Sequence, residues 1–354
     1  MIVSDSGNTG NVLVKKLAKA EKDSKSSEIE FSVRPRKLAE LIGREKEKHM
    51  LSLLISATKK KWEKGEKAAA DHVLVYGPPG LGKTTIAHIL SNELGVSVKV
   101  TSGPAIERQA DLIAILTNLA AGDVLFIDEI HRLRKPVEEL LYPAMEDFQV
   151  DIIVGQGTAS QSVRFTLPPF TLIGATTRIG LLSAPLRDRF GLLLHLDFYA
   201  EEEIVAMLQR IIKNDQTSVE VGALEEIAKR SRGTARIAVR LLRRVKEYVS
   251  VHGNTPALTR DLAQAALDLL GIDTLGLDQL DQQILITMIK KYGGGPIGLK
   301  TLSAAVAEDE ETLEAVYEPY LLRCGLLKRT PRGRVVTELG YEHLGQKFPE
   351  SAVL

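Results

Sequence analysis

His72-Val73-Leu74-Val75-Tyr76-Gly77-Pro78-Pro79-Gly80-Leu81-Gly82-Lys83-Thr84-Thr85 is the stretch on which the fold turns. An apolar run of strand composition leads directly into a loop of three glycines. Residues Thr84–Leu94 then read as a helix. Gly77–Thr84 fills every position of the pattern G-x-x-x-x-G-K-[ST]. The glycines let the backbone curl so that its N–H groups point inward at phosphate oxygens. The following helix aims its positive end at the same anion. Lys83 is expected to reach the β- and γ-phosphates, and the Thr84 hydroxyl to sit on Mg²⁺. A chance glycine-rich turn would lack this strand before and helix after.

Outward from the loop, strand and helix signals alternate. Upstream, Leu51, Leu54, Ile55 and Thr58 recur at helical spacing within 38–64. Downstream come a strand at Val96–Thr101, a helix at Gln109–Leu119 and a wholly apolar strand at Val124–Ile127. The alternation continues to Leu172–Gly174. It predicts an α/β domain whose parallel sheet carries helices on both faces. Strand Val124–Ile127 ends in Asp128 and Glu129. Asp128 is expected to hold Mg²⁺ and Glu129 to orient and polarise the attacking water. Hydrolysis passes through a charged transition state and needs further positive groups, for which Arg189 and Arg236 are candidates. Read alone, each would more often be a solvated arginine. Thr177 follows an apolar strand and could reach the γ-phosphate or the water. One interruption is a β-hairpin: Val150, Ile152 and Val154 alternate, as do Val163, Phe165 and Leu167, about the turn-rich Gly155–Ser160.

After Phe198 the strand signals fade. Helices are expected at Glu201–Lys213, Val221–Ser231, Thr234–His252 and Thr259–Leu270, with Gly233 and Gly253 at helix ends. From Leu277, three helices near 278–292, 299–307 and 310–323 precede strands Leu326–Thr330 and Arg334–Thr337. Three helices and a hairpin make a winged helix. The expected division is a tail at 1–30, an α/β P-loop domain at 31–198, an all-helical domain at 199–274, a winged helix at 275–348 and a tail at 349–354.

Composition sets outer bounds. At 354 residues the chain exceeds one compact core, and its 44% hydrophobic content is that of a soluble globular protein. Lys+Arg and Asp+Glu both number 46, so any nucleic-acid surface must come from local clustering. The single cysteine, Cys324, allows no intrachain disulfide, which fits a reducing compartment. Met1–Val14 lacks a secretory pattern, and no apolar stretch approaches the roughly 20 residues of a membrane helix. A cytoplasmic protein with no membrane association is expected.

Several runs together resemble the RuvB family, AAA+ motors of bacterial Holliday junction branch migration. They are Gly77–Thr85, Thr101–Pro104, Asp123–Leu133, Leu141–Asp147, Leu167–Arg178, Pro185–Gly191, Ile237–Arg244, Gly294–Pro296, Glu318–Leu321 and Arg329–Arg334. Leu141–Asp147 and Arg329–Arg334 are the more specific; the P-loop alone marks only a superfamily. The resemblance implies an AAA+ P-loop domain, a helical lid and a C-terminal winged helix. It implies an ATP/ADP site with Mg²⁺, in which Lys83 and Thr84 are Walker A, and Asp128 and Glu129 Walker B. Thr177 resembles sensor 1, and Arg236, with Arg232 as the alternative, sensor 2. Arg189 resembles an arginine finger acting on the neighbouring subunit's ATP, which implies a hexameric ring on DNA. The nucleotide site would comprise Gly77, Pro78, Pro79, Gly80, Leu81, Gly82, Lys83, Thr84, Thr85 and Arg236. Arg34, Leu41 and Ile42 would form its adenine side, with Tyr199 beside them. The hairpin, through Ile152, Ile153 and Val154, resembles the element that docks on RuvA, the junction-recognition partner. Two positions depart from the family pattern: Ala235 stands for the usual proline and Arg44 for the usual glutamine.

Charge within the winged helix carries its own expectation. The recognition helix has Glu308, Asp309, Glu310, Glu311, Glu314 and Glu318, which would repel phosphates. The wing has Lys328, Arg329, Arg332 and Arg334 with no acid among them. Arg329, Arg332 and Arg334 are therefore expected on the backbone of double-stranded DNA at four-way junctions, without a sequence code. The hairpin's apolar residues could pack on the sheet or stand exposed for a partner, and periodicity does not choose between them. The function expected is an ATP-hydrolysing branch-migration motor. The alternative is a regulatory AAA+ switch such as a clamp-loader subunit, and a non-hydrolysing scaffold would lack Glu129 or Arg189.

Overall fold

The computed structural model describes residues 34–66, 68–154, 161–213, 218–252 and 257–349. The expected tails at 1–30 and from 350, the turn Gly155–Ser160 and the helix end at Gly253 lie outside the described residues, as do the side chains of Ile153 and Val154. The chain forms two compact units. The first runs to Ile211 and includes Thr234–Val239; the second comprises Ile212–Gly233 and Arg240–Leu354.

The first unit is built on a five-stranded parallel sheet: β1 (Val73–Tyr76), β2 (Val98–Ser102), β3 (Val124–Asp128), β6 (Thr171–Thr176) and β7 (Leu192–His195). Their spatial order is β2-β3-β6-β1-β7. The central β6 is buried along its whole length, while β2 and β7 at the edges are partly exposed. This matches the α/β expectation. Strand β7 was not legible, because Leu192-Leu193-Leu194 is short and has no turn chemistry before it other than Gly191. Its register against β1 (Val73↔Leu192) supplies the last edge.

Helix Glu45–Glu63 buries Leu51, Leu54, Ile55 and Thr58, the four positions its spacing marks. Helices Lys83–Leu94, Gln109–Thr117 and Lys135–Glu146 follow β1, β2 and β3 in the chain. The core beside β3 and β6 packs Leu74, Ile127, Leu141, Phe170 and Leu172. The hairpin is present as β4 (Gln149–Val154) and β5 (Gln161–Thr166), with Val150 opposite Phe165 and Ile152 opposite Val163. Its apolar residues divide between packed and exposed. Val150 is buried and Ile152 packs on the core, whereas Val163 and Phe165 are 39% and 43% exposed.

The second unit contains helices Val221–Lys229 and Arg260–Leu269, which pack on one another, and the winged helix. Helix Gln279–Tyr292 opens with a capping box of Asp278 and Asp281. Helix Leu299–Val306 follows. The third helix is continuous from Glu310 to Arg323 but opens into a π turn at Leu313–Tyr317. The wing is β8 (Leu327–Thr330) paired antiparallel with β9 (Gly333–Val336). A short helix Glu338–His343, absent from the sequence reading, closes the domain and buries Tyr341. Leu277, Ile284, Leu302, Leu321 and Val336 share its core. Helix Ala235–His252 begins in the first unit and continues in the second.

Candidate active site

The P-loop leaves the end of β1 and curls into helix Lys83–Leu94. Gly77, Gly80 and Gly82 have φ of +144°, +79° and +94°. These values strain any side chain, and a Cβ at Gly77 would also run into the Leu196 carbonyl. No side chain caps the helix start at Gly82, so its first-turn N–H groups remain available to an anion. Lys83 is buried, and its ammonium donates to the Gly77 and Pro78 carbonyls, both at 2.9 Å. Burial lowers its pKa, opposed by the nearby Glu129 and Asp128 carboxylates.

Two neighbouring strands, β3 and β6, bring the remaining groups to the same end of the sheet. Asp128 closes β3, and its Oδ1 accepts from the Glu129 N–H at 3.0 Å. Glu129 has φ of +47°, a left-handed turn that carries its carboxylate toward β6. There the Thr177 hydroxyl donates to it at 3.1 Å. His131 Nδ1 lies 3.2 Å from the same carboxylate and 2.8 Å from the Thr176 hydroxyl. Burial lowers the His131 pKa, with Glu129 pulling it back up, and the ring therefore tends to neutrality.

These groups border a cavity of about 190 Å³. Pro79, Gly80, Gly82, Lys83, Thr84 and Thr85 line it from the P-loop side, and Asp128 and Glu129 from β3. Arg34, Leu41, Ile42 and Tyr199 form another wall. Arg236 lines it too, and its backbone N–H donates to the Gly80 carbonyl at 3.3 Å. Arg232, the alternative, is engaged elsewhere: its guanidinium bonds Asp281 and the Gly276 carbonyl and stacks on Tyr320 at 4.8 Å. Three expected residues of the nucleotide site do not line the cavity. Gly77 and Pro78 turn their carbonyls to Lys83, and the Leu81 side chain is buried behind the loop. Met207, Arg210 and Ile211 also stand on the cavity wall, without a sequence signal for it. Their i, i+3, i+4 spacing put them on one helical face, but nothing in that pattern pointed to a ligand rather than a core.

Thr177 reaches the cavity through Glu129, and Arg189 is not part of its lining. Arg189 lies over the Tyr142 ring at 4.4 Å, pairs with Glu146 at 3.1 Å and donates to the Pro185 carbonyl at 2.6 Å. Tyr142 and Glu146 both belong to the run Leu141–Asp147, so that motif seats Arg189.

In the wing, the three arginines divide. Glu318, buried at 4% exposure, accepts from Arg329 at 2.6 and 2.8 Å and from Arg334 at 3.0 and 3.1 Å. Burial alone would raise the Glu318 carboxyl; the two guanidiniums outweigh it and hold it below the usual range. Arg334 is largely buried by this contact, and Arg329, half exposed, also pairs with Glu314 at 3.2 Å. Arg332 and Lys328 are exposed and make no ion pair among the described residues. Two of the six acids expected to form a separate repelling surface, Glu314 and Glu318, are thus the partners of two of the wing's cations.

A family model described as the Holliday junction DNA helicase RuvB P-loop domain matches residues 33–196. The RuvB AAA lid domain matches 199–273, and the RuvB C-terminal winged helix domain 274–345. Among solved structures, one described as the Thermotoga maritima RuvB Holliday junction branch migration motor shares 50% identity at a TM-score of 0.79. That match covers 90% of this chain and 99% of the other. Two point mutants of Thermotoga maritima RuvB match at 50% and 51% identity, each with a TM-score of 0.80. They cover 90% and 89% of this chain, and 99% and 100% of their own.

Proposed function

The chain belongs to the RuvB family, and from that premise we infer that it is an ATP-hydrolysing motor of Holliday junction branch migration. The observation that carries this is similarity across the P-loop, lid and winged-helix regions together, at 50% identity over 90% of the chain. A clamp-loader-like switch is not favoured. We assign the domains as 31–198, 199–274 and 275–348.

In this reading ATP lies in the cavity with its phosphates on the P-loop. Lys83 and the first-turn N–H groups hold the β- and γ-phosphates. Thr84 and Asp128 both line the cavity and offer oxygen donors, which suit Mg²⁺. The ion, when bound, would neutralise charge on the β- and γ-oxygens. Glu129 orients the attacking water and polarises it, while Thr177 fixes the carboxylate that does so. Arg236 supplies charge from within the chain. Arg189, seated away from the cavity lining, serves the site of the next subunit in a hexameric ring. RuvA docks on the hairpin through the exposed Val163 and Phe165, on the strand paired with Ile152, Ile153 and Val154. Duplex DNA lies against Arg332 and Lys328 of the wing, with the exposed part of Arg329 beside them. The protein works in the cytoplasm.

The test is strand displacement of a synthetic four-way junction with ATP, with and without RuvA. The wild type migrates the junction and Lys83→Ala does not. Val163→Ser with Phe165→Ser keeps basal ATP hydrolysis and loses stimulation by RuvA. Absence of migration by the wild type under both conditions would refute the motor. Stimulation that survives the double substitution would refute the hairpin assignment.

A further inference from the structure

Gly43 and Arg44 are consecutive left-handed residues, with φ of +66° and +56°. For arginine this left-handed backbone is strained, so its surroundings must hold it there. The turn immediately precedes helix Glu45–Glu63 and directs the Arg44 side chain to Tyr199. The guanidinium carbon lies 4.2 Å from the centre of the Tyr199 ring, and Nε donates to the Tyr199 hydroxyl at 2.9 Å. Nη2 donates to the Asp197 carbonyl at 2.9 Å and to the Leu81 carbonyl at 3.2 Å. The Tyr199 hydroxyl also approaches the Leu81 carbonyl, at 3.4 Å.

Tyr199 lines the nucleotide cavity, and Leu81 lies between the lining residues Gly80 and Gly82 of the P-loop. Arg44 itself does not line it. One rigid, planar group thus grips a wall of the cavity by its ring face and hydroxyl, and the phosphate loop by a backbone carbonyl. Lysine could not do both, because a point charge has no fork and stacks less well.

We propose that Arg44 is a positioning residue for nucleotide: it locks Tyr199 and the P-loop in one frame, so that base and phosphates are held together. This rests on the cavity being the ATP site. Arg44→Ala should weaken binding of both ATP and ADP by about 10-fold, roughly the net worth of one hydrogen bond. kcat at saturating ATP should remain within about twofold, because the reacting atoms are not touched. Arg44→Lys should recover less than half of the lost affinity.

The experiment measures mant-ADP binding, ATP competition and steady-state hydrolysis for the wild type, Arg44→Ala, Arg44→Lys, Tyr199→Phe and the double variant Arg44→Ala/Tyr199→Phe. Thermal unfolding without nucleotide is recorded for each. The expected result is a rise in Kd and KM at constant kcat, with the double variant no weaker than Arg44→Ala alone. Unchanged affinity in Arg44→Ala, full recovery by Arg44→Lys, or additive losses in the double variant would overturn the proposal. So would a loss explained by lowered thermal stability alone. A wild type that binds neither nucleotide would instead overturn the assignment of the cavity, and this proposal with it.

Discussion

Asp281 is fully buried in the second unit, with Oδ2 on Arg232 and Oδ1 without a hydrogen-bond partner among the described residues. Burial raises its pKa to about 6 from 3.8, with the attraction of Arg232 opposing. Between those values the folded chain keeps a proton that the unfolded chain has released. The stability this carboxyl contributes is therefore complete below about pH 4 and is lost as pH rises through about 6. The difference in unfolding free energy, wild type minus Asp281→Asn, should fall from pH 4 to pH 7 by up to roughly 3 kcal/mol. Denaturant titrations at the two pH values measure it, and a constant difference would contradict the assignment. Lys83, Thr84, Asp128 and Glu129 were legible because strand, loop and helix fix their spacing locally. The choice between Arg232 and Arg236 was not, because Arg232 is claimed by a carboxylate 49 residues later in the chain.

The wing and the third helix of the winged domain form one electrostatic element. Their charges were legible and their pairing was not: a basic hairpin and an acidic helix read as separate surfaces until the fold turns Glu318 under the wing. The consequence is a division of labour among residues of one type. Arg332→Ala should weaken duplex binding at every sequence and reduce the slope of log K against log salt by about 1. Arg334→Ala should act on stability instead, at a cost of about 1–3 kcal/mol, because it leaves a buried carboxylate one partner short. Salt-dependent duplex binding and thermal unfolding of both variants separate the two effects. Equal changes in salt slope would put Arg334 on the DNA as well. The hairpin β4–β5 has a similar gradation. Alternation revealed that it was a hairpin, but only packing shows that Val150 is core while Phe165 is surface.

For the molecule as a whole, whether Lys83 and Arg189 act in different subunits can be tested by mixing. If Arg189 completes a neighbour's site, Lys83→Ala and Arg189→Ala chains are each inactive alone. Assembled at random in equal amounts, they should recover about a quarter of wild-type hydrolysis, the share of interfaces with both residues intact. No recovery in co-assembled rings would mean that both residues act within one chain. The three-part architecture was legible because hydrophobic periodicity changes character near Phe198 and again near Leu277. The helical stretch after Phe198 gave no hint that Met207, Arg210 and Ile211 border the cavity, since a wall and a core use the same spacing.

The order of strands in the sheet also has a meaning in time. β6 lies between β3 and β1 in space, yet it is made after both of them. As the chain leaves the ribosome, the loop at Gly77–Thr84 and the carboxylates at Asp128 and Glu129 emerge with no strand to join them. Synthesis adds roughly 5–20 residues per second, and domains fold as units during it. The two halves of the nucleotide site can become neighbours only once Thr171–Thr176 has arrived to fill the gap. A nascent chain halted before that point carries the whole glycine loop and no assembled sheet to hold it.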